Sequence, residues 1–135
     1  NLVQGRYVTL IDNNQYFFDF NPKDLENVNI PSFNLASKYY FIYNPEDMDD
    51  NLQYNIQKLG YFLDKKGIQT VLACDREENC DKTIPIKDCS NNAFYFKKTN
   101  NSKSYLDQNC IVIEGNNEDI SKIVDKIDMK IIGII

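Results

Sequence analysis

Lys38-Tyr39-Tyr40-Phe41-Ile42-Tyr43, with the Ile68-Gln69-Thr70-Val71-Leu72-Ala73-Cys74 run that follows it, decides the fold. Both runs are rich in the β-branched and aromatic side chains that suit a pleated, buried surface. Between them Asn44-Pro45-Glu46-Asp47 reads as a helix start, with a capping Asn, Pro at the first helical position and acids facing the helix dipole. Met48, Leu52, Ile56, Leu59 and Leu63 then recur at spacings of three and four, and Lys65-Lys66-Gly67 supplies a stop. Strand, helix and strand in so short a span predict a β-α-β unit over residues 38–74, with parallel strands and a right-handed crossover.

Toward the N-terminus, Tyr7-Val8-Thr9-Leu10-Ile11 and Gln15-Tyr16-Phe17-Phe18-Asp19-Phe20 flank Asp12-Asn13-Asn14, residues that tolerate the positive φ of a tight hairpin. Pro22 and Pro31 bracket a polar connection with room for a short helical turn. Toward the C-terminus, residues 75–82 read as a charged loop, and Ala93-Phe94-Tyr95-Phe96 and Cys110-Ile111-Val112-Ile113 as strands joined by a polar bend at residues 100–102. Gly115-Asn116-Asn117 turns into a helix whose stripe is Ile120, Ile123, Val124, Ile127 and Ile131, and the apolar end at residues 131–135 should dock on the sheet. The expected architecture is one α/β domain over residues 1–135, with α+β as the alternative. It has a mixed sheet, an opening β-hairpin, a β-α-β unit and a C-terminal helix packed on the sheet, all stapled by disulfides.

Composition narrows the partners. The 135 residues carry a formal charge of −5 and no histidine, and the pI is near 4.7. That charge repels a phosphate backbone, so nucleic acid is not expected as a partner. No apolar run approaches the roughly 20 residues of a membrane-spanning helix, so membrane association would come only through an anchor outside this sequence. Asn1, where an intact chain would carry Met, fits either a processed mature form or a domain boundary. Asn100-Asn101-Ser102 matches a glycosylation acceptor, a triplet that arises easily in an Asn-rich chain.

Cys74, Cys80, Cys89 and Cys110 lack the short C-x-x-C pairs of zinc knuckles and thiol-exchange enzymes. Acids at Asp75, Glu77 and Glu78 would raise a nearby thiol pKa and lower its reactivity. Disulfides in an oxidising compartment are therefore expected. Three pairings are open; Cys74 with Cys80, closing the charged loop, and Cys89 with Cys110, pinning a strand excursion, is the preferred one.

Other chemistry is weakly signalled. Asp75, Glu77, Glu78, Asp81 and Asp88, or Glu46, Asp47, Asp49 and Asp50, are hard-oxygen groups suited to calcium, but neither follows an EF-hand pattern and charge runs are usually solvated. There is no serine elbow and no histidine base. Gly115-Asn116-Asn117 lacks the glycines of a diphosphate loop and reads as a β-to-α turn. Tyr39, Tyr40, Tyr43, Tyr54 and Tyr61 are the candidate interface residues, against the plainer reading that they fill half-buried positions.

Asp88-Cys89, the run from Asp107 to Gly115, Asp125 and the closing Ile132-Gly133-Ile134 resemble a group of short archaeal single-span extracytoplasmic proteins with no assigned activity. The likeness covers roughly residues 68–135, with an echo at Phe20-Asn21-Pro22 and Asn44-Pro45. It implies an anchor upstream of Asn1 and a stapled fold, and brings no catalytic residues. The sequence thus points to a non-catalytic binding or assembly module of a cell envelope, at the cell surface or secreted, needing no cofactor and meeting a protein partner or its own copies. The alternative is an envelope enzyme acting on a polar substrate through acidic residues, with or without a metal.

Overall fold

A computed structural model describes the backbone of residues 2, 3 and 6–135, with side chains from Arg6 onward. Asn1, and with it the reading of the chain's start, lies outside the described residues. The opening hairpin joins β2 (Arg6–Ile11) to β3 (Asn14–Phe18). Asp12 and Asn13 take positive φ of 49° and 67° at the turn, matching the twist of the strands they connect. A two-residue strand, β1 (Leu2–Val3), adds antiparallel to β2 and makes a three-stranded sheet.

The larger sheet contains β4 (Lys38–Tyr43), β5 (Gln69–Cys74), β6 (Ala93–Lys98), β7 (Lys103–Asp107) and β8 (Cys110–Gly115), in the order β5-β4-β6-β8-β7. All neighbours are parallel except β7, which lies antiparallel along β8 at the edge. Helix α1 (Asp50–Lys65) connects the parallel β4 and β5, giving the expected β-α-β unit, and α2 (Asn117–Ile131) follows β8.

Two expectations change. Asn44 and Pro45 start only a one-turn 3-10 helix, Pro45–Asp47. Met48 then turns extended (ψ 122°), and Asp49 caps α1 by accepting the Leu52 N–H at 2.8 Å. Met48 therefore packs beside the core from outside the helix. Residues 103–107, absent from the expected strands, form β7; on an edge their alternating polar residues face water and hide the strand signal. The stops hold: Gly67 takes φ +74° after α1, with Ile68 N–H returning to the Leu63 carbonyl at 3.0 Å. Gly115 takes φ +149°, and a Cβ there would lie 2.5 Å from that of Asp119, so the β8-to-α2 turn requires glycine.

Strand alternation divides the core. Tyr39, Phe41, Tyr43, Phe94, Phe96, Ile111 and Ile113 point to the face covered by α1, α2 and the hairpin. Phe18 and Tyr16 stack on Phe62 of α1 with ring centroids 5.3 and 5.5 Å apart. Ile42, Ala73, Ala93, Cys110 and Val112 point to the opposite face, where no helix among the described residues packs and Tyr40, Tyr95 and Tyr105 form the roof. Parallel strands are normally covered on both faces. Here one cover is helical and the other is a thin layer of tyrosines.

The disulfides are Cys74–Cys80 and Cys89–Cys110, leaving no free thiol among the described residues. They sit on opposite faces: Cys74 belongs to the helical-face core and Cys110 to the tyrosine-roofed one.

Candidate functional site

Where β3 meets α1, a groove of about 390 Å³ opens between Tyr16, Phe17, Tyr54, Lys58, Tyr61 and Phe62. Alternation along β3 sends Tyr16 and Phe18 inward and leaves Phe17 43% exposed. On α1, Tyr54, Lys58 and Tyr61 follow each other at helical spacings of four and three, and the two tyrosines are 37% and 48% exposed. Tyr61 packs edge-on against Phe62 and Tyr16, so its ring is held while one side stays in water.

The groove's inner wall is charged. The nearly buried Lys58 ammonium lies 5.0 Å from the Tyr54 ring centre, 3.0 Å from Asp19 Oδ2, and in an ion pair with Asp125 Oδ1. Asp125 Oδ2 accepts the N–H groups of Asp19 and Phe20 at 2.9 and 3.0 Å, fastening the end of the hairpin to α2. Burial alone would discharge Lys58, but Asp125, Asp19 and Asp128 outweigh it and raise its pKa. Burial likewise pushes Asp19 up, and Lys58, the Tyr54 hydroxyl and Arg6 overcome that push to leave it below the usual carboxylate range. For Asp125 burial wins and the pKa rises. A lysine held protonated is a poor nucleophile or Schiff-base former, so this geometry makes Lys58 a structural cation.

Asp128, one turn along α2, is wholly buried and neither carboxyl oxygen has a hydrogen-bond partner. Burial raises its pKa well above the ordinary value. The folded state thus holds a proton that the unfolded chain releases above about pH 3.9, and wild-type stability falls as pH rises from there through the folded pKa. Asp128→Leu is expected to stabilise the protein by about 1–3 kcal/mol near neutral pH by removing unpaired buried oxygens. The gain should grow as pH rises from about 4 toward neutrality. Thermal melts across that range test it; a gain that does not change with pH would mean that Asp128 keeps an ordinary pKa.

The sequence candidates scatter. Tyr39 and Tyr43 are only 3% and 5% exposed and belong to the core; the Tyr39 hydroxyl donates to the Asn34 carbonyl and accepts the Ala36 N–H. Tyr54 and Tyr61 share the groove. Tyr40 lies on the helix-free sheet face, beneath the ammonium groups of Lys38 and Lys87, 4.9 and 5.1 Å from its ring centre. Tyr95 and Tyr105 join it there, and sequence reasoning passed both over. Their hydroxyls donate to Asp75 (2.7 Å) and Glu114 respectively; burial, with the Asp75 bond behind it, raises the Tyr95 phenol pKa, and the Glu114 bond, with burial behind it, raises that of Tyr105 to about 12.

The acidic runs do not converge. Asp81 and Asp88 accept from Thr83 and Ser90 within their own turns, Asp49 caps α1 and pairs with Lys98, and Glu46 accepts from Asn79. Among the described residues, no three Cys, Asp or Glu side chains are grouped so as to hold a metal ion. At the carboxyl end of β6 and β8 a polar cleft of about 640 Å³ is lined by Lys98, Thr99, Asn100, Asn116, Asn117 and Glu118. Its two best-placed groups are already engaged: Lys98 with Asp49, and Asn116 with the Asp119 N–H.

Fold and surfaces define a disulfide-stapled, two-layer α/β domain with aromatic surface on both layers. Comparison with protein-family models, with curated proteins and with solved structures gives no match.

Proposed function

We propose that the chain is a non-catalytic binding or assembly module of a cell envelope, at the cell surface or secreted, meeting a protein partner or its own copies through the groove between β3 and α1. The observation that carries this reading is the cluster of partly exposed rings at Phe17, Tyr54 and Tyr61, backed by buried Tyr16 and Phe62. Aromatic side chains held in place and half in water are the residue type that dominates protein interfaces. Two closed disulfides fit an oxidising compartment. No helix among the described residues is long and apolar enough to cross a membrane.

The rival reading, an envelope enzyme working through acidic residues, needs carboxylates aimed together into a pocket. Asp81 and Asp88 bond within their own turns, Asp49 caps α1 and pairs with Lys98, Asp75 bonds to Tyr95 and Arg76, and Glu46 to Asn79.

Phe17→Ser with Tyr61→Ser removes the rim of the groove while leaving the buried rings in place. Self-association by sedimentation equilibrium and cross-linking to envelope extract should both weaken in this variant, by roughly tenfold or more in affinity if the rings are interface anchors, with thermal melting little changed. A wild-type protein that stays strictly monomeric and cross-links to nothing overturns the proposal.

A further inference from the structure

The larger sheet ends in an open edge at β7. The Asn109 carbonyl accepts the Ala93 N–H at 3.2 Å, so backbone groups at residues 109, 111 and 113 face β6, and those of Cys110, Val112 and Glu114 face β7. Their register partners Asp107, Tyr105 and Lys103 turn their own N–H and C=O groups inward to meet them. Alternation then aims the N–H and C=O groups of Ser104 and Leu106 away from the sheet, where no strand among the described residues pairs with them. The Ser104 hydroxyl turns inward too, donating to the Val112 carbonyl at 2.7 Å. The opposite edge, β5, is already met at Cys74, whose N–H donates to the Pro85 carbonyl and whose carbonyl accepts the Lys87 N–H.

Charges on an edge strand normally repel another strand. Those of β7 attract one when that strand is its own copy. Lys103-Ser104-Tyr105-Leu106-Asp107, set antiparallel to itself about Tyr105, places Lys103 opposite Asp107 and Ser104 opposite Leu106. Two-fold symmetry forms each of these contacts twice. The same register makes Ser104 and Leu106 the hydrogen-bonded pair, and theirs are the backbone groups that point outward. Leu106 lies on the sheet face of Ile111 and Ile113 and is 53% exposed. In the pair it stands opposite the other copy's Ser104, at the rim of a groove of about 270 Å³ whose apolar walls are Val28 and Ile123.

We infer that β7 is a dimerisation edge: two copies pair antiparallel about a two-fold axis at Tyr105, joining their larger sheets into one with both sets of helices on the same side. Charge, exposed leucine and outward backbone groups all match in this one register. A five-residue strand pair is a small interface, of the class that gives weak, micromolar association. Two-fold pairing occupies both edges, so association through β7 stops at two copies. It uses none of the residues of the groove between β3 and α1.

Sedimentation equilibrium up to about 1 mM protein tests the inference. Wild type should dimerise. Lys103→Glu and Asp107→Lys, both at exposed positions, should each lose roughly tenfold or more in dimer affinity, because each sets like charges opposite one another twice. Mixing these two variants should restore a dimer containing one copy of each, since every reversed charge then meets its opposite. Leu106→Ser should weaken the wild-type dimer with no charge altered. Phe17→Ser/Tyr61→Ser should keep the β7 dimer, so failure of the groove and failure of the edge are read separately. A wild type that stays monomeric at about 1 mM overturns the inference and leaves the edge to a strand of another protein. So does a mixture of the two charge variants that forms no dimer, or a wild-type dimer that both charge variants retain and the groove variant loses.

Discussion

Lys58→Met is expected to cost about 3–5 kcal/mol, the range for removing one partner of a buried ion pair. The ammonium joins three elements at one point: its own helix α1, Asp125 on α2 and Asp19 at the end of β3. Methionine keeps most of the aliphatic stem, so the loss reports the charge and not a cavity. Asp125 is then left buried with only the N–H groups of Asp19 and Phe20 as partners. The double variant Lys58→Met/Asp125→Asn should recover part of the loss, because it removes the stranded charge as well as its partner. The pH dependence has a definite sign. Asp19 is held below its ordinary pKa, so the stability drawn from its pairing with Lys58 is present above about pH 3.9 and is lost as pH falls through the folded value. The defect of Lys58→Met should accordingly shrink in acid. Urea denaturation at pH 7 and at about pH 2 measures both quantities, and a loss below about 1 kcal/mol at pH 7 would make this an ordinary surface pair.

Such a contact is hard to read from a sequence. On α1, Lys58 looks like one more charged residue on the solvent side of an amphipathic helix, and its partners lie 39 and 67 residues away in the chain. Local chemistry was far more legible. The β-α-β unit, the hairpin turn at Asp12 and Asn13, the glycine stop of α1 and the apolar stripe of α2 each depend on residues close in sequence, and each is found. The start of α1 was misplaced because two capping signals lie five residues apart, and Asn44 uses its side chain on a single 3-10 turn. Among the tyrosines, composition suggested a surplus but not its direction. Alternation sends Tyr39 and Tyr43 into the helical-face core and Tyr40 to the other face, and only the choice of face for the helices decides which side is exposed. Phe17 was hidden for a similar reason: which face of a strand is buried is set by what packs against it, here Phe62 of α1.

Opening the Cys89–Cys110 disulfide by the double substitution to alanine should destabilise the domain by about 3 kcal/mol, and opening Cys74–Cys80 by about 2 kcal/mol, on loop-closure entropy alone. The order follows from sequence separations of 21 and 6. Alanine is the right replacement because Cys74 and Cys110 are fully buried, and a serine hydroxyl there would add an unpaired polar group to the loss. The consequences differ in place as well as size. Cys89 anchors the segment before β6 against the helix-free face, with Asn109 N–H donating to the Cys89 carbonyl at 3.0 Å and Ala93 N–H to the Asn109 carbonyl at 3.2 Å. Cys80 holds a loop whose next residues continue along β5, where Cys74 N–H donates to the Pro85 carbonyl at 2.9 Å. Loss of Cys89–Cys110 should therefore loosen the roof over Ala93, Cys110 and Val112 and speed amide exchange in β8 near Cys110. Loss of Cys74–Cys80 should confine faster exchange to residues 75–87 and leave β8 protected. Losses that follow the loop lengths alone, with faster exchange spread evenly over the sheet in both variants, would mean that the staples act only on the unfolded chain and have no part in holding the tyrosine-covered face together.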